Sequence, residues 1–273
     1  MEYGVSSMTE MNISEFIERV AHTFKIIELV SEYPHVYYGS RNVDALLELK
    51  EQYNLTYTMH APYCGINLAS TNPNIRKASV NEIIHSISYA KDLECRLIVV
   101  HPGVVSYPRG IKEFEAMAKS SQLDSFSAIC ERAEEEEILT CLENMPRQPP
   151  AFIDTWRGDG IVHIVNELAS KWLKITLDVG HCNTTDIPQS EMIDKFGTNI
   201  KHVHIHDNNG LRESHSIVGQ GTVNWNEVIH ALQKIKYNGF LIDEHRTIEG
   251  HEVGRTFLEP LLKSVMIEYV SND

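Results

Sequence analysis

The chain has 273 residues and carries 38 acidic against 24 basic side chains, a formal net charge of −14. This balance gives no long-range help in holding a polyanion, which lowers the expectation of nucleic-acid binding, and no apolar run approaches the ~18 residues of a membrane span. The opening residues Met1–Ser6 lack the basic and apolar regions of a secretory leader. Cys64, Cys95, Cys130, Cys141 and Cys182 are odd in number and scattered, without a C-x-x-C pair. The expectation is a cytoplasmic protein with free thiols, of which only Cys182, beside His181, stands near candidate chemistry.

Short β-branched runs alternate with amphipathic stretches along the whole chain. The pattern predicts strands at Glu2–Ser6, Lys25–Val30, Leu55–His60, Arg96–His101, Leu139–Glu143, Lys174–Asp178, His202–His206 and Phe240–Glu244. Helices are predicted over Ile13–His22, Val43–Tyr53, Asn74–Leu93, Ile111–Glu136, Ile161–Lys171, Ser190–Phe196, Asn226–Ile235 and Thr256–Val270. Eight strand–helix pairs, in a chain near the roughly 250 residues usual for the fold, spell an α/β protein of the (β/α)8 or TIM-barrel class, one domain over residues 1–273. A doubly wound open sheet is disfavoured because no glycine-rich phosphate loop follows the first strand. The acidic run Glu134–Glu137 reads as a solvated helix end.

In a parallel barrel the active site forms at the C-terminal ends of the strands. Six consecutive ends here carry imidazole or carboxylate: His60 on strand three, His101 on strand four, Glu143 on strand five, Asp178 with His181 on strand six, His204 and His206 on strand seven, Glu244 on strand eight. Period-two alternation puts His202, His204 and His206 on one face and Val203 and Ile205 on the other. The apolar pair must meet the helices, so the histidines face the barrel axis. Glu244 crowns the column of Phe240 and Ile242 in the same way. One histidine at a strand end is usually a core residue, and one Asp or Glu there usually caps the next helix. Six ends converging instead describe a ligand set for zinc, manganese or a similar divalent ion, because buried carboxylates need a neutralising charge. The loop after strand seven adds Glu213-Ser214-His215, then Gly219-Gln220-Gly221.

In this order of motifs (His-Ala-Pro-Tyr, His-Pro-Gly, Leu-Glu-Asn, Leu-Asp-x-x-His, His-x-His-Asp, Gly-x-Gly, Glu-His-Arg) the chain resembles the xylose isomerase-like barrel superfamily of sugar isomerases, epimerases and endonuclease IV relatives. The isomerase and epimerase branch implies one divalent ion on Glu143, Asp178, His204 and Glu244, with Glu143 and Glu244 exchanging a proton with substrate carbon. The endonuclease IV branch implies three zinc ions: one on His60, His101 and Glu143; one on Glu143, Asp178, His204 and Glu244; one on His181, Glu213 and His215. Glu213 stands where that branch has an aspartate. The nuclease motif Asp-Thr-Cys-His is Asp-Val-Gly-His here, and its His-x-Asn-Asp is His-Ile-His-Asp. The second strand ends Glu28-Leu29-Val30-Ser31-Glu32, an acidic stretch where a DNA-reading loop should be positive.

The expectation is a metal-dependent sugar or sugar-phosphate isomerase/epimerase using one to three ions of zinc, manganese or magnesium. Tyr63, His206 and Arg246 are the substrate-binding candidates, Tyr63 alternatively packing beneath its loop. For a sugar phosphate, Arg246 and Arg212 are the cations nearest the mouth. Two other readings stand: a zinc phosphodiesterase acting on abasic DNA, the one reading that implies a nucleic-acid partner, and a metal-retaining barrel without turnover.

Overall fold

The structure, a computed structural model, describes residues 1–8, 10–32, 40–105, 111–147 and 154–270. Eight strands run in the order β1 (Glu2–Ser6), β2 (Ile26–Val30), β3 (Thr56–His60), β4 (Leu97–Val100), β5 (Leu139–Glu143), β6 (Leu173–Asp178), β7 (Ile200–Ile205) and β8 (Phe240–Asp243). Each pairs in parallel with its sequence neighbour, and β8 returns to β1 through Tyr3 opposite Leu241 and Gly4 opposite Ile242. The sheet is a closed barrel, as the strand–helix alternation predicts.

Helices α1 (Ile13–Val20), α2 (Ser40–Tyr53), α3 (Pro73–Asp92), α4 (Lys112–Glu136), α5 (Asp159–Leu168), α6 (Val179–Asn183), α7 (Gln189–Phe196), α8 (Trp225–Lys234) and α9 (Ile248–Val270) surround it. Their starts follow from local chemistry. Asn12, Asn72 and Asn224 each accept backbone N–H groups at a first turn, and Pro73 gives up no hydrogen bond at the start of α3. Glu137, at φ 53°, closes α4, so the acidic run is the solvated helix end expected. Two departures from the sequence pattern are the largest. Helix α9 begins at Ile248, eight residues before Thr256, and the one-and-a-half-turn α6 opens directly from β6 because the Asp178 carboxylate accepts the His181 N–H at 2.6 Å.

The outward strand faces meet the helices in one apolar core that includes Phe16, Ile17, Phe126, Ile129, Leu142, Ile161, Val203, Ile205 and Leu241. Inside the barrel, Leu97, Val99 and Cys141 form a separate small apolar cluster. Alternation along β5 then stacks Glu143 above Cys141, at the C-terminal end. Cys182 belongs to the outer core, its thiol toward the Ile187 carbonyl and pushed up to about 12 by burial. That corrects its expected place beside the chemistry. All five cysteines are free. Among the described residues no helix is long and apolar enough to cross a membrane.

Candidate metal centre

The inward faces of β2, β3 and β7 first make a polar floor. Glu28 is fully buried, and its Oε2 receives His202 Nε2 at 2.7 Å and the Thr58 hydroxyl at 3.1 Å. Its Oε1 lies 2.9 Å from His204 Nε2, although the ring is not aligned for a hydrogen bond. Burial pushes the Glu28 carboxyl up, but His204 and His202 together outweigh it and hold it well below the usual carboxylate range. The acidic stretch read on this strand is therefore not a loop charge. Glu28 points into the barrel, and Glu32 clamps the next loop by accepting the Tyr63 and Cys64 N–H groups, both at 2.5 Å.

Above that floor the expected ligands converge. His204 Nδ1 faces Glu244 Oε1 at 3.4 Å, Glu143 Oε1 at 3.5 Å and Asp178 Oδ2 at 4.0 Å. Glu143 Oε2 faces His101 Nε2 at 3.2 Å and His60 Nε2 at 3.4 Å, while its Oε1 lies 3.2 Å from His181 Nδ1. Glu213 Oε1 reaches His215 Nε2 at 2.6 Å and His181 Nε2 at 3.4 Å. Each of His60, Glu143, Asp178, His181, His204 and Glu244 is at most 5% exposed, a degree of burial that isolated charges do not tolerate.

The backbone fixes which ring nitrogens are bare. A carbonyl can only accept, so His60 Nδ1, 2.7 Å from Ala61 O, and His181 Nδ1, 2.8 Å from Asn144 O, carry the hydrogens. Their neutral Nε2 atoms then aim lone pairs at carboxylate oxygens 3.4 Å away. Two such acceptors repel unless a positive charge lies between them. N–H···O bonds to carboxylate close to about 2.7–2.9 Å, whereas ligands about 2.0–2.1 Å from one tetrahedral zinc sit roughly 3.4 Å apart. Buried and unpartnered Glu143 Oε2, Asp178 Oδ2 and His204 Nδ1 complete the case that these residues fit a divalent cation. Glu143, Asp178 and His204, and separately His60, His101 and Glu143, each bring ligand atoms within 4.8 Å of one another.

Without such an ion, protons supply the charge. Burial pulls His204 and His181 down, but the carboxylates around them hold both well above the ordinary imidazole value. Burial raises both glutamates; His101 and His204 then bring Glu143 well below its usual range, whereas Glu244, facing Asp178 and Glu143 as well, stays raised.

The loop after β7 is folded over the mouth by a residue that sequence reasoning passed over. Asp207, fully buried, accepts from Asn208 N, Gly219 N, Val223 N and the Trp225 indole, and pairs with Ser216 through two backbone bonds. Gly219 has φ +88°, and a Cβ on Gly221 would lie 2.1 Å from Asp207 Oδ1, so the Gly-x-Gly turn is required by this anchor. Asn144 likewise ties β5 to β6, exchanging side-chain hydrogen bonds with the Asp178 backbone.

Of the substrate-binding candidates, Tyr63 stands with His101, His181, Glu213 and Met145 around a mouth cavity of about 270 Å³, its ring stacked on His101. His206 is fully buried against Asp178, with no place on that cavity wall. Arg246 and Arg212 are exposed.

Residues 17–260 match the family model of the xylose isomerase-like TIM barrel. The chain is 33% identical over 270 residues to an uncharacterised protein of Methanocaldococcus jannaschii, covering 97% of this chain and 90% of that protein. It is 25% identical to a D-psicose 3-epimerase of Enterocloster bolteae, over 77% of this chain and 69% of that one. A crystal structure of a D-tagatose 3-epimerase-like protein superposes with a TM-score of 0.90 at 33% identity, covering 98% of this chain and all of the other.

Proposed function

The chain belongs to the xylose isomerase-like TIM-barrel family, and from that membership we propose that it is a divalent-metal-dependent sugar isomerase or epimerase. The similarity to psicose and tagatose 3-epimerases supports a ketose as the first substrate to try. The observation that carries the reading is Glu143 and Glu244, brought from the end of β5 and from just after β8 to within 3.5 and 3.4 Å of the same His204 nitrogen. Two carboxyls pushed apart in acidity at one site are the arrangement proton exchange at carbon requires.

Glu143 takes the proton from substrate carbon, and Glu244 returns one from the other side. Asp178 and His204 complete the ligand set, and the ion they would hold supplies the charge that polarises the adjoining sugar oxygens. Tyr63 and His101 wall the cavity in which the sugar sits. Incubating metal-loaded protein with a panel of ketoses in deuterated water tests this: one exchanged carbon position is expected, lost in Glu143→Gln. No deuterium at any carbon would count against it.

A second reading, zinc-dependent phosphodiester hydrolysis, draws on the separate His60–His101–Glu143 group, which suits water activation. Chelator-sensitive cleavage of a duplex with one abasic site would establish it in place of the first.

A further inference from the structure

We propose that the barrel mouth holds a second divalent-cation site, made by His206, His215 and Glu244, beside the one on Glu143, Asp178, His204 and Glu244. It goes beyond the proposed sugar chemistry and shares with it the metal dependence and the Glu244 carboxylate. The three ligand atoms lie within 4.8 Å of one another. His206 is fully buried and His215 only 9% exposed, yet His206 Nε2 and His215 Nδ1 have no hydrogen-bond partner.

Both rings have their other nitrogen engaged. His215 Nε2 lies 2.6 Å from Glu213 Oε1, a carboxylate that can only accept, so Nδ1 presents its lone pair, 3.8 Å from Glu244 Oε2. His206 Nδ1 leans on the Asp207 carbonyl at 3.4 Å, leaving Nε2 toward Asp178 Oδ1 at 3.3 Å. The rings stack with centroids 4.2 Å apart. The two carboxylates divide their oxygens in the same sense. Glu244 Oε1 and Asp178 Oδ2 turn to His204, while Glu244 Oε2 and Asp178 Oδ1 turn to His215 and His206. For Glu244 that division is what a carboxylate bridging two neighbouring cations requires.

The chain has been shaped to admit His206. A Cβ on Gly180 would lie 2.1 Å from the His206 ring, so the imidazole fits only because residue 180 has no side chain. Gly180 and His206 are two of the places, with Val179 and Glu213, where the sequence departs from the nuclease-type motifs, which have cysteine and asparagine at 180 and 206, and the fold puts these two in contact. His215, for its part, sits at φ +46°, a left-handed backbone unusual outside glycine, which the two Asp207–Ser216 hydrogen bonds hold in place. Two neutral imidazoles and one carboxylate suit a zinc-type ion, whereas three carboxylates and one imidazole at the first site suit manganese or magnesium as well.

The test is the number of Co²⁺ or Zn²⁺ ions per chain, by titration with elemental analysis and the visible spectrum of the cobalt protein. His206→Asn is expected to bind one ion fewer than the wild type and to lose one component of the cobalt spectrum, with thermal melting of the metal-free protein retained. Gly180→Ala, which displaces the same ring without removing a ligand, is expected to lose the same ion, and serves if His206→Asn fails to fold. Equal stoichiometry in wild type and both variants would overturn the second site and leave the proposed function standing. No ion in any of them would overturn both.

Discussion

Floor and mouth of the barrel use the same residue types, histidine and glutamate, at nearly the same burial, yet their spacing differs. On the floor, Glu28 and His202 close to 2.7 Å, the distance of a shared proton. In the mouth, His60 and His101 Nε2 stop 3.4 and 3.2 Å from Glu143 Oε2. On the floor Glu28 Oε2 is closed by hydrogen bonds, while Glu28 Oε1 and His204 Nε2 are left without partners; around Glu143 in the mouth the pairs stand apart at the width of a cation. Composition alone does not separate a hydrogen-bonded imidazole–carboxylate pair from one spaced for a cation, whereas the distance between the ligand atoms does.

The largest effect is expected from breaking the floor. Glu28→Ala leaves His202 and His204 buried without their carboxylate, a loss that typically costs about 3–5 kcal/mol. For a chain of this size, at roughly 2–4 °C per kcal/mol, the metal-free protein should melt on the order of 10 °C lower by calorimetry. Glu143→Ala removes one of three crowded carboxylates and should cost much less. Equal losses for the two variants would mean that floor and mouth are one structural layer. A smaller effect separates the layers by ligand. Manganese at 100 times its dissociation constant should stabilise the wild type by about 2.7 kcal/mol, read as a rise in melting temperature. Asp178→Asn should erase that increment, and His202→Gln should keep it from a lower starting point.

The contrast between the layers also marks where sequence reading stops. The closed barrel and the convergence of His60, His101, Glu143, Asp178, His204 and Glu244 followed from periodicity and strand ends. The inward turn of His202, His204 and His206 followed because Val203 and Ile205 could pack only outward. Glu28 was misassigned because β2 is buried on both faces, so alternation carries no sign there, and its partners lie 30 and 174 residues away. Helix α9 starts before the predicted Thr256 and runs through Gly250, which is needed there because a Cβ would lie 1.9 Å from His245 Nδ1. Asp207 bonds to atoms up to 18 residues ahead, which no local pattern displays.

The smallest expected effect is on the pH dependence of stability, and it distinguishes protons from cations as the charge in the mouth. In the metal-free protein His204 and His181 are held well above the ordinary imidazole value, against burial, by carboxylates that include Glu244 and Asp178. Their stabilising contribution is complete below the unfolded value of about 6.5 and is lost as pH rises through the folded values. The depressed Glu143 contributes in the opposite sense, fully above its unfolded value near 4.5 and less as pH falls through the folded one. The metal-free protein should therefore be most stable in the weakly acidic range. Above about pH 6.5 it should lose up to roughly 1.4 kcal/mol per pH unit for each proton still held. In metal-loaded protein His204 is already neutral as a ligand, and the charge of the cation beside His181 opposes a proton there. Melting temperatures between pH 6.5 and 8.5 should fall without the ion and hold steady with it; parallel curves would mean that the long spacings of the mouth are bridged by protons in both states.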